Sequence, residues 1–459
     1  MDNLIYEKKQ EELKERGGNV EIISYTLTDI KTNKLKTRSF LHSRIKEKSK
    51  ELTEHFDKKR FLIVECALEI DPIQKLIICD EKSPCLFCSL PLIGSENHIL
   101  PFILNSNDFE PSTERQEILL DGAEIKIDEK RNKREILTDV GINRYILRRS
   151  YELFERIVKY CSNNKYNNLH LLSRGLKDIP KVNRYFDKKW YEENYMKNMR
   201  DILEKNPIIY DANNELAFIK ELYFPIYDQY NENYMKQYLK IIKELYIYVP
   251  RYEDSIHWSK YLWEKGLEKN RIDINKLIDK YNESEHDIAF NNLFIKFIWD
   301  YYKEIAKTKK VLINQENQYI LYNEKEFGQS KNVSEDMINC IEELGNNWRI
   351  NHLNDKITSI DLPIEHDIDY AVNIIKKSIN KDKEKSFILA RYVEKNSEKR
   401  ENIYYLSKLL FDNEIGEKYI VENFNEEIWK ESDDYIIDKL ITTCEKWEKY
   451  SNYLFLFHD

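Results

Sequence analysis

Apolar and polar positions alternate with a period near two in the first third of the chain, then shift to a period near 3.6 beyond residue 140. Val20 to Leu27 predicts a strand, with Thr37 to Leu41 as a partner for it, and Ile45 to Phe56 predicts a short helix. Phe61 to Ile70 and Lys75 to Cys79 predict two more strands. An apolar run from Cys85 then enters Leu90-Pro91-Leu92, and a polar loop follows at Gly94-Ser95-Glu96-Asn97. Ile99 to Leu104 is apolar again and opens at Asn105-Ser106-Asn107-Asp108 into a polar stretch that presents Arg115. This mixture predicts one α/β domain over residues 1–140, a sheet covered by helices.

From Ile142 the texture changes. Ile142, Tyr145, Ile146, Leu153, Ile157, Val158 and Cys161 form one helical stripe. Similar stripes recur at Tyr191–Leu203, Tyr234–Tyr248, Trp258–Leu267, Phe290–Ile305, Ile368–Ile379, Phe387–Val393, Ile403–Phe411 and Ile436–Tyr453. Two extended segments interrupt them, near 206–225 and near 310–328. In each, an apolar strand meets an Asn-rich turn and a second short apolar segment, which predicts a β-hairpin. The expected class is therefore α+β: an N-terminal α/β domain, then a large, mostly helical region with hairpin inserts, divided at 141–306 and 307–459. No strict repeat of constant period is visible.

Composition narrows the partners. The 459 residues hold 73 Lys and Arg against 82 Asp and Glu, a formal charge of -9 with no basic run of the kind that tracks phosphates, which disfavours nucleic acid. Aromatic residues reach 13%, including 32 tyrosines, enough apolar area to offset chain entropy despite 34% charged residues. Ten glycines and ten prolines fit long helices with few tight turns. Seven irregularly spaced cysteines read as thiols of a reducing compartment. With neither a signal-peptide core nor an apolar run of membrane-spanning length, the expectation is a cytoplasmic protein.

Three constellations invite chemistry, and each has a plainer reading. Arg115 presents a permanently charged planar fork on an irregular loop; the plain reading is a solvated arginine paired with Glu114 or Glu117. Cys85-x-x-Cys88, near Cys79 and His98, has half the ligands of a zinc site. Its alternation within a strand sends the two thiols to opposite faces, so no metal site is assigned. Arg251-x5-His257 has the spacing of a ribonuclease motif of helical HEPN domains. Read plainly, it is an arginine at the start of a helix and a partly buried histidine.

The order Leu90-Pro91-Leu92, buried strand, Asn105-Ser106 and Arg115 ahead of an apolar pair resembles the segment after the nucleotide domain in sacsin-like ATP-binding proteins. These belong to the GHKL superfamily, with the ninety-kilodalton heat-shock chaperones and the mismatch-repair MutL proteins. The resemblance covers about forty residues, and the hairpins between helical segments are similar too. It implies that Arg115 contacts the γ-phosphate of ATP in trans, with Asn105 and Gln116 as neighbours. A GHKL nucleotide domain also needs Asp-x-Gly-x-Gly and a glycine-rich lid, whereas this chain has no Gly-x-Gly; its one adjacent pair is Gly17-Gly18. No Walker A sequence occurs either. The resemblance therefore implies ATP and magnesium held by a separate GHKL nucleotide-binding domain or neighbouring-gene product, and no ATPase activity from this chain alone. Residues 1–140 become a transducer-like middle domain, and the assembly acts as a dimer on a protein client or effector. The competing expectation is a non-enzymatic helical interaction scaffold, a truncated or split-gene product.

Overall fold

In the computed structural model the period-two segments form an eight-stranded, mainly antiparallel sheet. The structure describes residues 4–13, 20–29, 34–48, 61–80, 82–128, 134–180 and 185–379, with isolated positions up to 389. The strands are β1 (Leu4–Leu13), β2 (Val20–Asp29), β3 (Lys34–Glu47), β4 (Leu62–Asp71), β5 (Leu76–Ile77), β6 (Leu86–Cys88), β7 (Leu90–Pro91) and β8 (Ile103–Asn105). Their order is β1-β2-β3-β4-β8-β6-β7, with β5 added to β4. The β6–β8 pair is parallel; its neighbours are antiparallel. Strand β4 shows why the sheet has a wet and a dry side. Leu62, Val64, Cys66, Leu68 and Ile70 are buried, and the residues between them are only half-buried.

Helix α1 (Asp139–Asn163) covers the dry side, packing on β3 and β4. It follows a hairpin of β9 (Ile125–Asp128) and β10 (Arg134–Leu137). Thr138 caps it, its Oγ1 accepting the Gly141 N–H at 3.0 Å. The predicted stripe is the buried face: Ile146, Leu153, Phe154, Ile157, Val158 and Cys161 are fully enclosed. Each such side chain contributes about 1.5–3 kcal/mol relative to exposure.

Two expectations are corrected here. Ile45 to Glu47 continue β3 and are not helical, because Ile45 pairs with Val64 and stays buried on the dry face; residues 49–56 of that expected helix lie outside the described set. Strand β1 was not expected, since its sequence LIYEKKQEEL alternates too weakly to announce itself.

Beyond α1 come α2 (Lys188–Trp190), a π turn at Tyr191–Met196 and α3 (Lys197–Glu204). Next are β11 (Ile209–Tyr210), β12 (Leu216–Ala217), β13 (Phe224–Pro225), α4 (Glu232–Leu245), α5 (Tyr252–Tyr261), β14 (Arg271–Ile272) and α6 (Ile274–Tyr281). Then follow α7 (Ile288–Tyr301), β15 (Leu312–Ile313), β16 (Tyr319–Ile320), β17 (Gln329–Ser330), α8 (Glu335–Glu343), β18 (Glu365–His366) and α9 (Ile368–Ile379). The helix expected over Trp258–Leu267 ends at Tyr261, and the stretch expected to reach Ile305 leaves the α-helix after Tyr301. The stripes at Ile403–Phe411 and Ile436–Tyr453, and most of Phe387–Val393, lie outside the described residues.

The hairpins belong to one supersecondary unit used twice. In the first, β11 pairs with β12, and Asp211 Oδ1 accepts the N–H groups of Asn213 and Glu215. In the second, β15 pairs with β16, and Asn314 Oδ1 accepts from Glu316 and Gln318. Asn214 and Asn317 hold the matching left-handed positions, φ 62 and 63°. A short strand then pairs in parallel across a helical connection: β13 with β14 across α4 and α5, β17 with β18 across α8. Asn231 caps α4 and Ser334 caps α8, while Asp273 and Asp367 accept at the starts of α6 and α9. No constant sequence period marks this duplication, because hydrogen-bond geometry rather than residue identity is retained.

The chain divides into two compact units, 1–277 and 278–459. No helix among the described residues is long and apolar enough to cross a membrane.

Candidate functional site

Arg115 stands at the tip of a small closed loop. Pro111 bridges to Ile118, the Ser112 N–H donates to Glu117 O at 2.8 Å, and the Arg115 N–H donates to Ser112 O at 2.8 Å. Arg115 itself is left-handed, φ 57°, a conformation that costs a non-glycine residue about 1–2 kcal/mol. Its guanidinium is exposed and donates one bond, from Nη2 to the Cys88 carbonyl at 3.1 Å. No described carboxylate lies within ion-pair distance, so the pairing with Glu114 or Glu117 does not form.

The base of this loop is held by a residue that sequence reasoning missed. Asn143, fully buried on α1, donates from Nδ2 to Glu110 O (2.7 Å) and Leu119 O (3.0 Å), and its Oδ1 accepts the Glu110 N–H at 2.8 Å. Its whole amide is thus spent clamping the two stems of the loop. The next residue, Arg144, extends the clamp. It donates to Leu120 O, pairs with Glu124 at 3.1 Å and Asp187 at 2.9 Å, and lies 4.6 Å from the Trp190 ring centroid. A buried guanidinium so fully matched is held rather than poised.

Asn105 ends β8, where it is the register partner of Phe87, and Phe87 precedes the Cys88 whose carbonyl receives Arg115. The structure therefore brings Asn105 and Arg115 to the same end of the β6–β8 pair. The Asn105 side chain turns to Glu65, donating at 2.9 Å, and its Oδ1 is buried without a hydrogen-bond partner. Glu65 also faces His42 Nε2 at 3.6 Å, while His42 Nδ1 faces Glu21 at 3.8 Å. The Glu65 carboxyl is held below its ordinary range, first by His42 and then by Asn105, with burial opposing. The two carboxylates approach opposite ring nitrogens of His42, so one cation cannot take all three. Gln116 is exposed, with its backbone against Gly94, and is not drawn into this group.

On the same wet side, a cavity of about 250 Å³ is bounded by Phe40, Ala67, Phe87, Pro91 and Ile103, with the Arg38–Glu69 pair (Nε to Oε1, 2.7 Å) on its wall.

The other constellations resolve into packing. Cys85 Sγ donates to Ser95 O at 2.7 Å, and burial pushes its thiol up to about 11; Cys88 Sγ faces the carbonyls of Asn107 and Phe109. No cluster of three or more His, Cys, Asp or Glu able to hold a metal occurs among the described residues. Arg251 precedes α5, bonds Asp254 and lies 4.1 Å from the Tyr210 ring centroid. His257, exposed rather than partly buried, stacks on His170 at 4.4 Å.

Comparisons with protein-family models, characterised proteins and solved structures find no match for this chain.

Proposed function

We propose that this chain is the transducer and helical portion of a sacsin-like GHKL ATP-binding assembly. A separate nucleotide-binding domain, supplied by a neighbouring-gene product, holds the ATP and magnesium. The observation that carries the reading is the state of Arg115: an exposed cation on a clamped loop, bonded to one backbone carbonyl and to no described carboxylate. A charge-assisted, bidentate phosphate contact is stronger than a single bond to a neutral carbonyl, so Arg115 gains by exchanging Cys88 for a phosphate. The bound ATP supplies the γ-phosphate; this chain supplies a positioned guanidinium and a route for the signal. That route begins at Asn143 and Arg144, which tie Glu110, Leu119 and Leu120 to α1. The reading carries with it a cytoplasmic dimer acting on a protein client or effector. Co-expression with the neighbouring product that carries Asp-x-Gly-x-Gly tests it: Arg115→Ala lowers ATP turnover of the complex, and an unchanged rate overturns the proposal.

The duplicated hairpin and parallel-strand unit supports a second reading, an interaction scaffold that works without nucleotide. It predicts that a partner is retained equally with and without ATP.

A further inference from the structure

Just beyond β5, a thiol meets a guanidinium. Arg174 Nη1 donates to Cys79 Sγ at 2.8 Å; Arg174 is only 8% exposed, and Cys79 is half-buried. Two segments that are bonded to each other bring the residues together. The Ile77 N–H donates to Asn167 O at 3.2 Å, the Asn167 N–H to Lys75 O at 2.7 Å, and Asn168 Nδ2 to Ile77 O at 3.4 Å. From this junction the chain runs from Ile77 to Cys79 on one side and through a short 3₁₀ turn, Leu169–Ser173, to Arg174 on the other. Gly175 fixes the exit of that turn: its φ is 74°, and a Cβ there would lie 1.8 Å from Ile99 O.

The other described cysteines have different surroundings. Cys66, Cys85, Cys161 and Cys340 are buried, and burial pushes each thiol up, Cys85 to about 11 and Cys340 to about 12. Cys88 Sγ faces the carbonyls of Asn107 and Phe109, which accept a hydrogen bond and give none. Cys79 Sγ receives one, and from a permanent cation. Such a donor favours thiolate over thiol, and the thiolate is the nucleophile. The neighbouring charges are the Arg38–Glu69 pair, already matched, and Asp80. Asp80 opposes a thiolate, but it is exposed and turned to its own loop, accepting the Lys82 N–H at 3.0 Å and the Ser83 hydroxyl at 2.7 Å. These two bonds, with Arg38 and Arg174 adding, hold its carboxyl below the ordinary range. Water screens an exposed charge, whereas Arg174 touches the sulfur.

Cys79 and Arg174 both line the cavity of about 250 Å³ on the wet side of the sheet. Phe40, Ala67, Phe87, Pro91 and Ile103 make its walls largely apolar. A pocket of this kind takes an uncharged, ring-sized group and offers few polar anchors besides the pair at its edge.

We propose that Cys79 is a covalent capture site for an uncharged α,β-unsaturated carbonyl compound with an apolar body. The Cys79 thiolate adds to the β-carbon. The carbon–sulfur bond forms as the carbon–carbon π bond opens, and the displaced electron pair moves onto the carbonyl oxygen as an enolate. Water then protonates the α-carbon, replacing the proton that the thiol gave to solvent, so nothing is oxidised or reduced overall. Once the sulfur is a neutral thioether, the Arg174 N–H that held it is free for the enolate oxygen. The site uses neither the Arg115 side chain nor a nucleotide and stands apart from that reading.

N-phenylmaleimide and N-methylmaleimide, one acceptor with and without an aromatic body, test it on the full chain, with peptide mass spectrometry reading each cysteine. With less than one equivalent of N-phenylmaleimide at pH 6, Cys79 is expected to carry roughly tenfold more adduct than Cys88, the other half-buried thiol. Corrected for their rates with free cysteine, the phenyl reagent should react with Cys79 several-fold faster than the methyl one. Ala67→Leu, which fills the cavity, should remove that preference. Asp80→Asn, at an exposed position, should speed capture. Arg174→Gln should slow it roughly tenfold where the variant keeps the wild-type unfolding midpoint, and Asp80→Asn alone carries the electrostatic test where it does not. Equal labelling of Cys79 and Cys88 at pH 6, capture unmoved by Asp80→Asn, or no preference for the phenyl reagent overturns the proposal.

Discussion

His366 Nδ1 and His352 Nε2 share a hydrogen bond of 2.8 Å directly over Gly328, where a Cβ would stand 2.9 Å from the His366 nitrogen. The direction of the bond is fixed by a carbonyl. His352 Nδ1 lies 2.6 Å from Trp348 O, which can only accept, so Nδ1 carries the proton and Nε2 accepts from His366. Trp348 stacks on His352 at 3.9 Å, and Tyr370 stacks on His366 at 3.6 Å. In the first copy of the duplicated unit the corresponding places hold Val249 and Ile272, both 1% exposed. The same fold position is thus apolar in one copy and a hydrogen-bonded imidazole pair in the other.

That difference predicts acid sensitivity confined to the second copy. Burial pushes His352 down to about 4 and also lowers His366, the latter opposed by the nearby Asp367. The other charge nearby, Arg349, is matched by Glu335 and Glu342. A histidine depressed in the folded state binds fewer protons there than in the unfolded chain, so stability is full above about pH 6.5 and falls towards pH 4. A first proton on His366 Nε2 keeps the shared bond, whereas a proton on His352 Nε2 requires His366 to give up its Nδ1 proton, and protonating both rings sets two N–H groups face to face. Ring proton NMR of assigned histidines should show His352 titrating near pH 4. His352→Val/His366→Ile should flatten the loss of hydrogen-exchange protection between pH 6.5 and 4 around β17 and β18. Either single change should cost about 1–3 kcal/mol, more than half of it recovered in the double variant. Equal acid sensitivity of wild type and double variant would remove the pair from the account.

Asn143→Ala removes three bonds at once from the stems of the Arg115 loop and leaves the Glu110 N–H without its acceptor. The expected cost is about 2–4 kcal/mol in a denaturant titration at pH 7. Proteolysis between Glu110 and Leu119 should rise well before global unfolding. Asn143→Asp should be no better, because a carboxylate cannot donate to Glu110 O or Leu119 O. Wild-type proteolysis in both variants would show that the clamp is not what orders the loop.

Gly175→Ala sets a methyl against the Ile99 carbonyl at 1.8 Å and asks a non-glycine residue to hold φ 74°. The conformational term alone costs about 1–2 kcal/mol, and the overlap is with backbone, which cannot swing aside. A loss of at least ~2 kcal/mol is expected, read from the unfolding midpoint. By contrast, Gly345→Ala should cost little beyond the φ term, since nothing lies within 4 Å of its Cβ position.

These residues also show what the sequence made legible. Alternation in LIVECALEID announced β4, and the 3.6 stripe announced α1, because one buried face dominates each. The hairpins were legible from Asp211, Asn214, Asn314 and Asn317, whose turn chemistry is local. Their duplication was not, since Val249 against His352 and Ile272 against His366 preserve geometry and not chemistry. Arg115 drew notice as a loop arginine. Asn143 did not, because one asparagine inside a helical stripe reads as solvated until its partners, more than twenty positions away, are folded against it.

The Arg115 reading makes its own quantitative demand. If the guanidinium meets a terminal phosphate in the transition state, Arg115→Ala should lower ATP turnover of the reconstituted complex by about 10²–10³, the usual loss for one well-placed charged donor. Arg115→Lys should recover the charge but not the planar fork, so turnover should lie between the two while nucleotide affinity stays near wild type. The Arg115 side chain makes one hydrogen bond among the described residues, so neither change should lower stability by more than about 1 kcal/mol. A turnover loss with an unmoved midpoint separates a phosphate contact from a merely structural one. Asn143→Ala gives the complementary case: it keeps Arg115 but frees the loop, and should lower turnover while leaving affinity for the nucleotide partner unchanged. Should Arg115→Ala and Asn143→Ala both leave turnover at the wild-type rate, the loop takes no part in the ATP cycle, and the scaffold reading stands in its place.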